Sequence, residues 1–112
     1  MKDFWNGKVI LITGASSGIG EALLKELSIY PVTIIAMARR AAEIKKPLQA
    51  NDRMELIPIA VDLQDPASIE DAVALIPREI ARIDVLFNNA GITAHGRFDT
   101  LSMDVFRKTF AT

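Results

Sequence analysis

The sequence predicts an α/β fold built on a doubly wound parallel sheet, and two observations carry this prediction. Along the 112 residues, short apolar runs alternate with segments whose apolar residues recur at helical spacing. That alternation, with short polar joints, is typical of parallel strands joined by right-handed crossovers. The first apolar run, residues 9–12, also lacks the polar alternation of a half-exposed strand, so both of its faces are expected to be buried. A chain of this length is expected to form one domain.

The first half of the chain predicts two strands that flank a helix. Strand one is expected over residues 8–13 and helix one over residues 18–29. Pro31 then breaks the chain before strand two, which is expected over residues 32–38. The charged segment 40–53 is expected to form a short helix followed by a loop.

The second half continues the alternation. Strand three is expected over residues 55–61. Asp65 then offers an oxygen that can cap a helix, and Pro66 has the fixed dihedral angle of a first helical position. The apolar face of this helix is expected to consist of Ile69, Ala72, Val73 and Ile76. Pro77 is expected to end or kink the helix.

The last two predicted elements are a strand and a helix. Strand four is expected over residues 83–88, a mostly apolar run that ends in Asn88. A helix is expected to begin near Ser102, because the pattern that follows Leu101 has helical spacing; it consists of Val105, Phe106, Thr109 and Phe110.

Composition and charge exclude several classes of function. The net charge is −1, and no block of lysine or arginine appears, so a nucleic acid has no basic surface to bind. The chain has no cysteine and a single histidine, His95, which is expected in a loop, so we expect no disulfide and no metal site. No apolar run approaches the roughly eighteen residues of a membrane span, and the first ten residues do not resemble a signal peptide. We therefore expect a cytoplasmic protein.

Three glycines stand at the predicted corner between strand one and helix one. Gly14, Gly18 and Gly20 lack side chains, so the backbone there can approach a pyrophosphate closely. The first N–H groups of a helix also have no internal partner and favour an anion. The spacing is not that of a P-loop, which requires four residues between its glycines and a lysine after the second, because only three residues separate Gly14 from Gly18 and no lysine follows directly. The alternative is a flexible corner whose glycines only ease the turn.

Two motifs in the expected order resemble those of the short-chain dehydrogenase/reductase family. Residues 13–20 read T-G-x-x-x-G-x-G, and residues 88–91 read N-N-A-G directly after strand four. Asp62, at the end of strand three, stands where that family places a carboxylate that contacts adenine. The resemblance implies the N-terminal half of a Rossmann-like sheet with strand order 3-2-1-4.

The resemblance also implies a binding site for a dinucleotide, with a role for each matching residue. Arg39 would bind the ribose phosphate, and Asp62 and Leu63 would contact the adenine. The residues expected at the pyrophosphate and nearby groups are Gly14, Ser16, Ser17, Gly18, Ile19 and Gly20. Those expected at the adjoining ribose are Asn89, Ala90 and Gly91.

The end of strand two predicts NADP(H) as the cofactor in preference to NAD(H). Dinucleotide folds that take NAD usually place a carboxylate there, whereas an arginine accommodates the extra phosphate of NADP. This chain has Ala38, Arg39 and Arg40, and the next acid is Glu43. The alternative is an ordinary solvated arginine pair. Many NADP-using relatives also carry a basic residue before the second motif glycine; Ser17 stands here instead, and its hydroxyl can still donate to a phosphate.

No residue of the sequence is assigned a catalytic role. The family uses an Asn, a Ser and a Tyr-x-x-x-Lys pair, but the sole tyrosine here, Tyr30, has Ile34 where the lysine would stand. Counted from Phe106, the catalytic Asn is expected directly after Thr112. We therefore expect residues 1–112 to be the dinucleotide-binding part of such an enzyme, truncated before the catalytic half.

The resemblance implies that the intact enzyme moves a hydride between a nicotinamide cofactor and a carbonyl or alcohol. It also implies a small-molecule substrate and a homo-oligomer. One alternative is a module that senses NADP(H) without chemistry. A methyltransferase is a weaker alternative, because it usually requires an acid where Ala38 and Arg39 stand.

Overall fold

The computed structural model describes residues 4–16 and 18–89, together with the backbone of residues 101–102. Its strands are β1 (Val9–Thr13), β2 (Thr33–Ala38), β3 (Glu55–Ala60), β4 (Arg82–Ile83), β5 (Val85–Asn88) and β6 (Leu101–Ser102). Its α-helices are α1 (Gly18–Leu27) and α2 (Pro66–Ala74), and Ala41–Glu43 form one turn of 3₁₀ helix. Among these residues, no helix has both the length and the apolar character that crossing a membrane requires.

Four strands form a parallel sheet in the order β3-β2-β1-β5. β1 is an interior strand of this sheet and pairs in parallel with both β2 and β5. The predicted order 3-2-1-4 is therefore confirmed, with β5 as the predicted fourth strand. The carboxyl ends of all four strands meet at one edge, where ligands bind in open α/β sheets.

The sheet buries both of its faces, as the apolar strands predict. Successive side chains of a strand point to opposite faces, so Ile10 and Ile34 lie in one core while Leu11 and Ile35 lie in the other. The first core includes residues of α1, namely Leu24 and Leu27, and the second includes residues of α2 and the chain after it, namely Ala72, Val73 and Ile76. One helix thus covers each face, which is the doubly wound arrangement.

The predicted strand four is divided by Asp84, and this division is a correction to the sequence prediction. The backbone N–H of Val9 donates to Asp84 Oδ2 at 2.8 Å, and Arg82 Nε donates to Oδ1 at 2.7 Å. The Asp84 side chain is mostly buried, with 8% of it exposed. The backbone N–H of Asp84 still donates to the Val9 carbonyl at 2.8 Å, but the N–H of Val9 bonds the carboxylate instead of a backbone carbonyl, so the ladder with β1 ends there. β4 leaves the parallel sheet and pairs antiparallel with β6.

Other boundaries differ less. Leu101–Ser102 is a short strand, so the predicted helix does not include Ser102, and the remainder of that prediction lies outside the described residues. The short helix predicted in 40–53 is the single 3₁₀ turn. α2 begins as predicted, since the N–H of Ala67 donates to Asp65 Oδ1 at 3.1 Å.

Candidate functional site

The turn between β1 and α1 depends on glycine at two positions for different reasons. Gly14 has a positive φ of 65°, a conformation that residues with side chains rarely adopt. Gly20 has no such angle, but a Cβ there would overlap the carbonyl oxygen of Gly14 and lie 2.8 Å from its carbonyl carbon. A side chain at Gly20 would therefore push α1 away from the turn.

Gly18 shares the positive φ of Gly14 but faces open space. Its φ is 59°, yet a Cβ built on it would meet no protein atom within 4 Å. Gly18 is also the first residue of α1, where backbone N–H groups lack helical partners and the helix dipole is positive. Ile19 beside it is 70% exposed. This combination of open space and unpaired donors fits a phosphate group.

Thr13 links the glycine turn to the end of β5. Its hydroxyl accepts a hydrogen bond from the backbone N–H of Asn89 at 3.0 Å and donates one to Asn88 Oδ1 at 3.1 Å. Asn89 Nδ2 in turn donates to the carbonyl of Gly14 at 3.4 Å. The two sequence motifs therefore meet at the carboxyl edge of the sheet. Thr13 is not among the site residues predicted from the sequence, although it is the first residue of the T-G-x-x-x-G-x-G motif.

A groove of about 360 Å³ runs along this edge of the sheet. It connects the glycine turn with the ends of β2 and β3. The residues that line it are Gly14, Ser16, Ala38, Arg39, Arg40, Glu43, Val61, Asp62, Leu63 and Gln64. Five of these are predicted site residues, and they come from three separate parts of the sequence.

The two arginines of the groove differ in their electrostatic surroundings. Arg40 Nη1 lies 3.7 Å from Glu43 Oε2, so this guanidinium has a carboxylate partner. Arg39 is exposed and has no ion pair or hydrogen-bond partner within the described part of the chain. Among the described residues that line the groove, Arg39 is therefore the cation that is available to an anionic ligand.

Asp62 lies across the groove in a hydrogen-bonded turn. Its Oδ1 accepts from the N–H of Gln64 at 3.0 Å, and its own N–H donates to Ser68 Oγ at 2.8 Å. The carbonyl of Asp62 accepts from the N–H of Asp65 at 3.0 Å. These bonds fix the backbone of Asp62 and Leu63 between β3 and α2. A carboxylate has further acceptor capacity, which suits an amino group.

The predicted site residues fall into three groups. Gly14, Ser16, Arg39, Asp62 and Leu63 share the groove. Gly18, Ile19 and Gly20 form the first turn of α1, and Asn89 contacts the glycine turn. Ser17, Ala90 and Gly91 lie outside the described residues.

Tyr30 lies away from this group. Its ring packs against Trp5, with 6.3 Å between the ring centroids, just before β2 begins. The amino end of β2 is the edge of the sheet opposite the groove.

Residues 8–112 match the family model described as short chain dehydrogenase. This match extends over nearly the whole chain, and the fold and both motifs agree with it. The chain belongs to the short-chain dehydrogenase/reductase family.

Curated relatives resemble the chain over most of its length. It is 43% identical over 91 residues to the NADP-dependent 3-hydroxy acid dehydrogenase of Schizosaccharomyces pombe, a match that covers 78% of this chain and 35% of the relative. It is 37% identical over 106 residues to human dehydrogenase/reductase SDR family member 7, covering 89% and 31% of the two chains. The chain thus spans about a third of the length of these relatives.

Solved structures also resemble it. L-sorbose reductase from Gluconobacter frateurii, complexed with NADPH and L-sorbose, has a TM-score of 0.69 at 28% identity, covering 87% of this chain and 38% of that one. An NADH-dependent reductase complexed with NAD has a TM-score of 0.66 at 26% identity, covering 99% and 48%. Structures similar to this chain therefore include complexes with either nicotinamide cofactor.

Proposed function

We propose that the chain is the NADP(H)-binding part of an oxidoreductase that transfers a hydride between the nicotinamide and a small carbonyl or alcohol substrate. The single observation that carries the preference for NADP(H) is Arg39, an exposed guanidinium in the groove without a protein partner among the described residues. Its planar fork matches phosphate oxygens. The alternative of a solvated arginine pair fits Arg40 better, because Arg40 has Glu43 as its partner.

The glycine turn would hold the pyrophosphate. Gly18 leaves open space and α1 presents backbone donors there, so anionic oxygens can approach without a side chain in the way. The residues assigned to this part of the cofactor are Gly14, Ser16, Ser17, Gly18, Ile19 and Gly20. A ligand there would replace water on N–H groups that the helix cannot satisfy itself.

The residues at the ends of β3 and β5 would bind two further parts of the cofactor, the adenine and the adjoining ribose. Asp62 and Leu63 would contact the adenine, since they line the same groove as Arg39. Asn89, Ala90 and Gly91 would contact the adjoining ribose, and the bond from Asn89 to Gly14 supports this assignment by joining it to the glycine turn.

The bound cofactor would supply the hydride or accept it. This chain's residues would bind and orient the cofactor, and none of them is assigned to the proton transfer that accompanies the hydride. Residues 1–112 would thus form the dinucleotide-binding part, and the catalytic Asn, Ser and Tyr-x-x-x-Lys would follow Thr112. The name of the Schizosaccharomyces pombe relative and the NADPH complex of L-sorbose reductase support an NADP-dependent enzyme.

The second candidate function is a module that binds NADP(H) without catalysing a reaction. The residues assigned to the cofactor would serve this function equally well, because none of them is assigned to catalysis. The source gene discriminates between the two: coding sequence for the four catalytic residues after Thr112 supports the enzyme.

The assignment of NADP(H) can be tested by comparing two nucleotides that correspond to the adenosine part of the cofactor. Adenosine 2′,5′-bisphosphate carries the ribose phosphate without the nicotinamide, and AMP lacks that phosphate. We expect calorimetry to give at least about tenfold tighter binding of the bisphosphate, because a hydrogen bond to a charged group is worth about 1.5–3 kcal/mol.

The matched variants are Arg39→Gln and Arg78→Gln. Arg78 is also exposed, but its neighbours in the sequence, Pro77 and Glu79, lie at the opposite edge of the sheet. Arg39→Gln should remove the preference, whereas Arg78→Gln should keep it. Equal binding of the two probes by the parent protein would overturn the assignment of NADP(H).

A further inference from the structure

The 3₁₀ turn after β2 holds a carboxylate in the groove. The N–H of Glu43 donates to the carbonyl of Arg40 at 3.0 Å, and the N–H of Ile44 donates to the carbonyl of Ala41 at 3.0 Å. Ile44 is buried in the core on the α1 face of the sheet. Because the backbone bonds and this apolar anchor fix the turn, the position of Glu43 in the groove is set by the fold.

Glu43 pairs with one of the two arginines that line the groove. Its Oε2 lies 3.7 Å from Arg40 Nη1, while the neighbouring Arg39 has no partner among the described residues. Both members of the pair are exposed, at 78% for Arg40 and 57% for Glu43. An exposed pair of this kind is weak and can be broken at low cost. One of two adjacent cations is thus neutralised by a group that lies within the same groove.

We propose that Glu43 is a specificity-determining residue, which limits the preference for NADP(H) over NAD(H) by keeping Arg40 paired. This inference rests on the proposed function. A ribose phosphate brings about −1.5 to −2 charges, which two free guanidinium groups would neutralise better than one. With Glu43 neutral, Arg40 can turn to the phosphate beside Arg39. NAD(H) lacks that phosphate, so its affinity should not respond.

The first test is Glu43→Gln, which keeps the size of the side chain and removes its charge. We expect NADPH to bind about two- to fivefold more tightly by calorimetry, the range that an exposed ion pair can provide, with NADH unchanged. The control is Glu79→Gln, which removes a charge that is also exposed but lies at the opposite edge of the sheet. The gain should shrink at high salt and should not appear in the control.

The second test separates Arg40 from the charge of Glu43 itself. In an Arg40→Gln background, Glu43→Gln should no longer increase NADPH affinity, because there is no guanidinium to release. The same gain in that background, or no gain in the parent, would overturn the inference while NADPH still bound. Weaker NADH binding after Glu43→Gln would also overturn it, since the carboxylate would then be bonding a ribose hydroxyl. Failure of the parent protein to bind NADPH would overturn the proposed function as well.

Discussion

At the scale of single residues, two glycines of the β1–α1 turn are expected to have different roles: Gly18 mainly in cofactor binding and Gly20 mainly in folding. Gly18→Val should abolish NADPH binding, because its side chain would fill the open space assigned to the pyrophosphate. The variant also places a branched residue at a φ of 59°, which costs about 1–3 kcal/mol of stability. Calorimetry measures the affinity, and circular dichroism shows whether the variant is folded.

Gly20→Ala is the contrasting substitution. Its methyl group would overlap the Gly14 carbonyl, so we expect this variant to lose thermal stability. A folded Gly18→Val protein with the parent's affinity for NADPH would contradict the assignment of the turn.

The end of β2 should decide between the two nicotinamide cofactors. Ala38→Asp together with Arg39→Ala exchanges a guanidinium for a carboxylate that can accept from the ribose hydroxyl of NAD(H). We expect the preference to shift toward NADH by about tenfold or more, from the loss of one charge-assisted contact. Calorimetric titration of the parent and the double variant with both cofactors measures the shift. An unchanged ratio of the two affinities would show that Arg39 binds no phosphate.

At the scale of elements, Asp84 determines how β4 and β5 join β1. Asp84→Ala should lower the free energy of unfolding by about 1.5–3 kcal/mol, because the N–H of Val9 loses a charged acceptor in a mostly buried position. Arg82→Ala should cost less than about 1 kcal/mol, since most of that side chain is exposed. Urea unfolding of both variants gives the comparison. Equal losses would show that the ion pair, rather than the bond to Val9, stabilises this junction.

The elements that the sequence predicted well are those defined by local patterns. The apolar run of β1 and the Asp65–Pro66 start of α2 depend on neighbouring residues alone. The break at Asp84 depends instead on the N–H of Val9, which is 75 residues away in the sequence. β6 likewise depends on a distant partner, β4. Neither contact follows from the conformational preferences of neighbouring residues.

The same distinction applies to the candidate site. Parallel strands bring their carboxyl ends together, so Arg39 and Asp62 could be placed in one groove from the order of the motifs. The pairing of Arg40 with Glu43 could not be predicted in this way, because the sequence does not give the orientation of side chains within an irregular turn. The hydroxyl bonds of Thr13 were not predicted because both partners, Asn88 and Asn89, are at least 75 residues away in the sequence.

At the scale of the whole molecule, residues 1–112 expressed alone should show no oxidoreductase turnover and little stability. Within the described residues β5 pairs with β1 alone, and Val85, Leu86 and Phe87 are only partly buried. A strand edge of this kind promotes aggregation. The measurement compares this chain with a version extended by the coding sequence after Thr112, for solubility, thermal unfolding and NADPH turnover on a panel of carbonyl compounds. Turnover by a soluble, cooperatively folding 112-residue chain would show that catalytic residues are present within it.

The side-chain bonds at the two ends of β1 have a consequence for strand alignment. Asp84 holds the first residue of β1, and Thr13 at the other end bonds both asparagines that follow Phe87. β5 has only four residues, so apolar contacts alone would allow it to slide by two positions and keep the same face inward. Such a slip would carry Asn89 about 6.6 Å along the sheet, away from the glycine turn. The bonds made by Asp84 and Thr13 oppose that slip, so the short strand β5 keeps Asn89 aligned with the glycine turn.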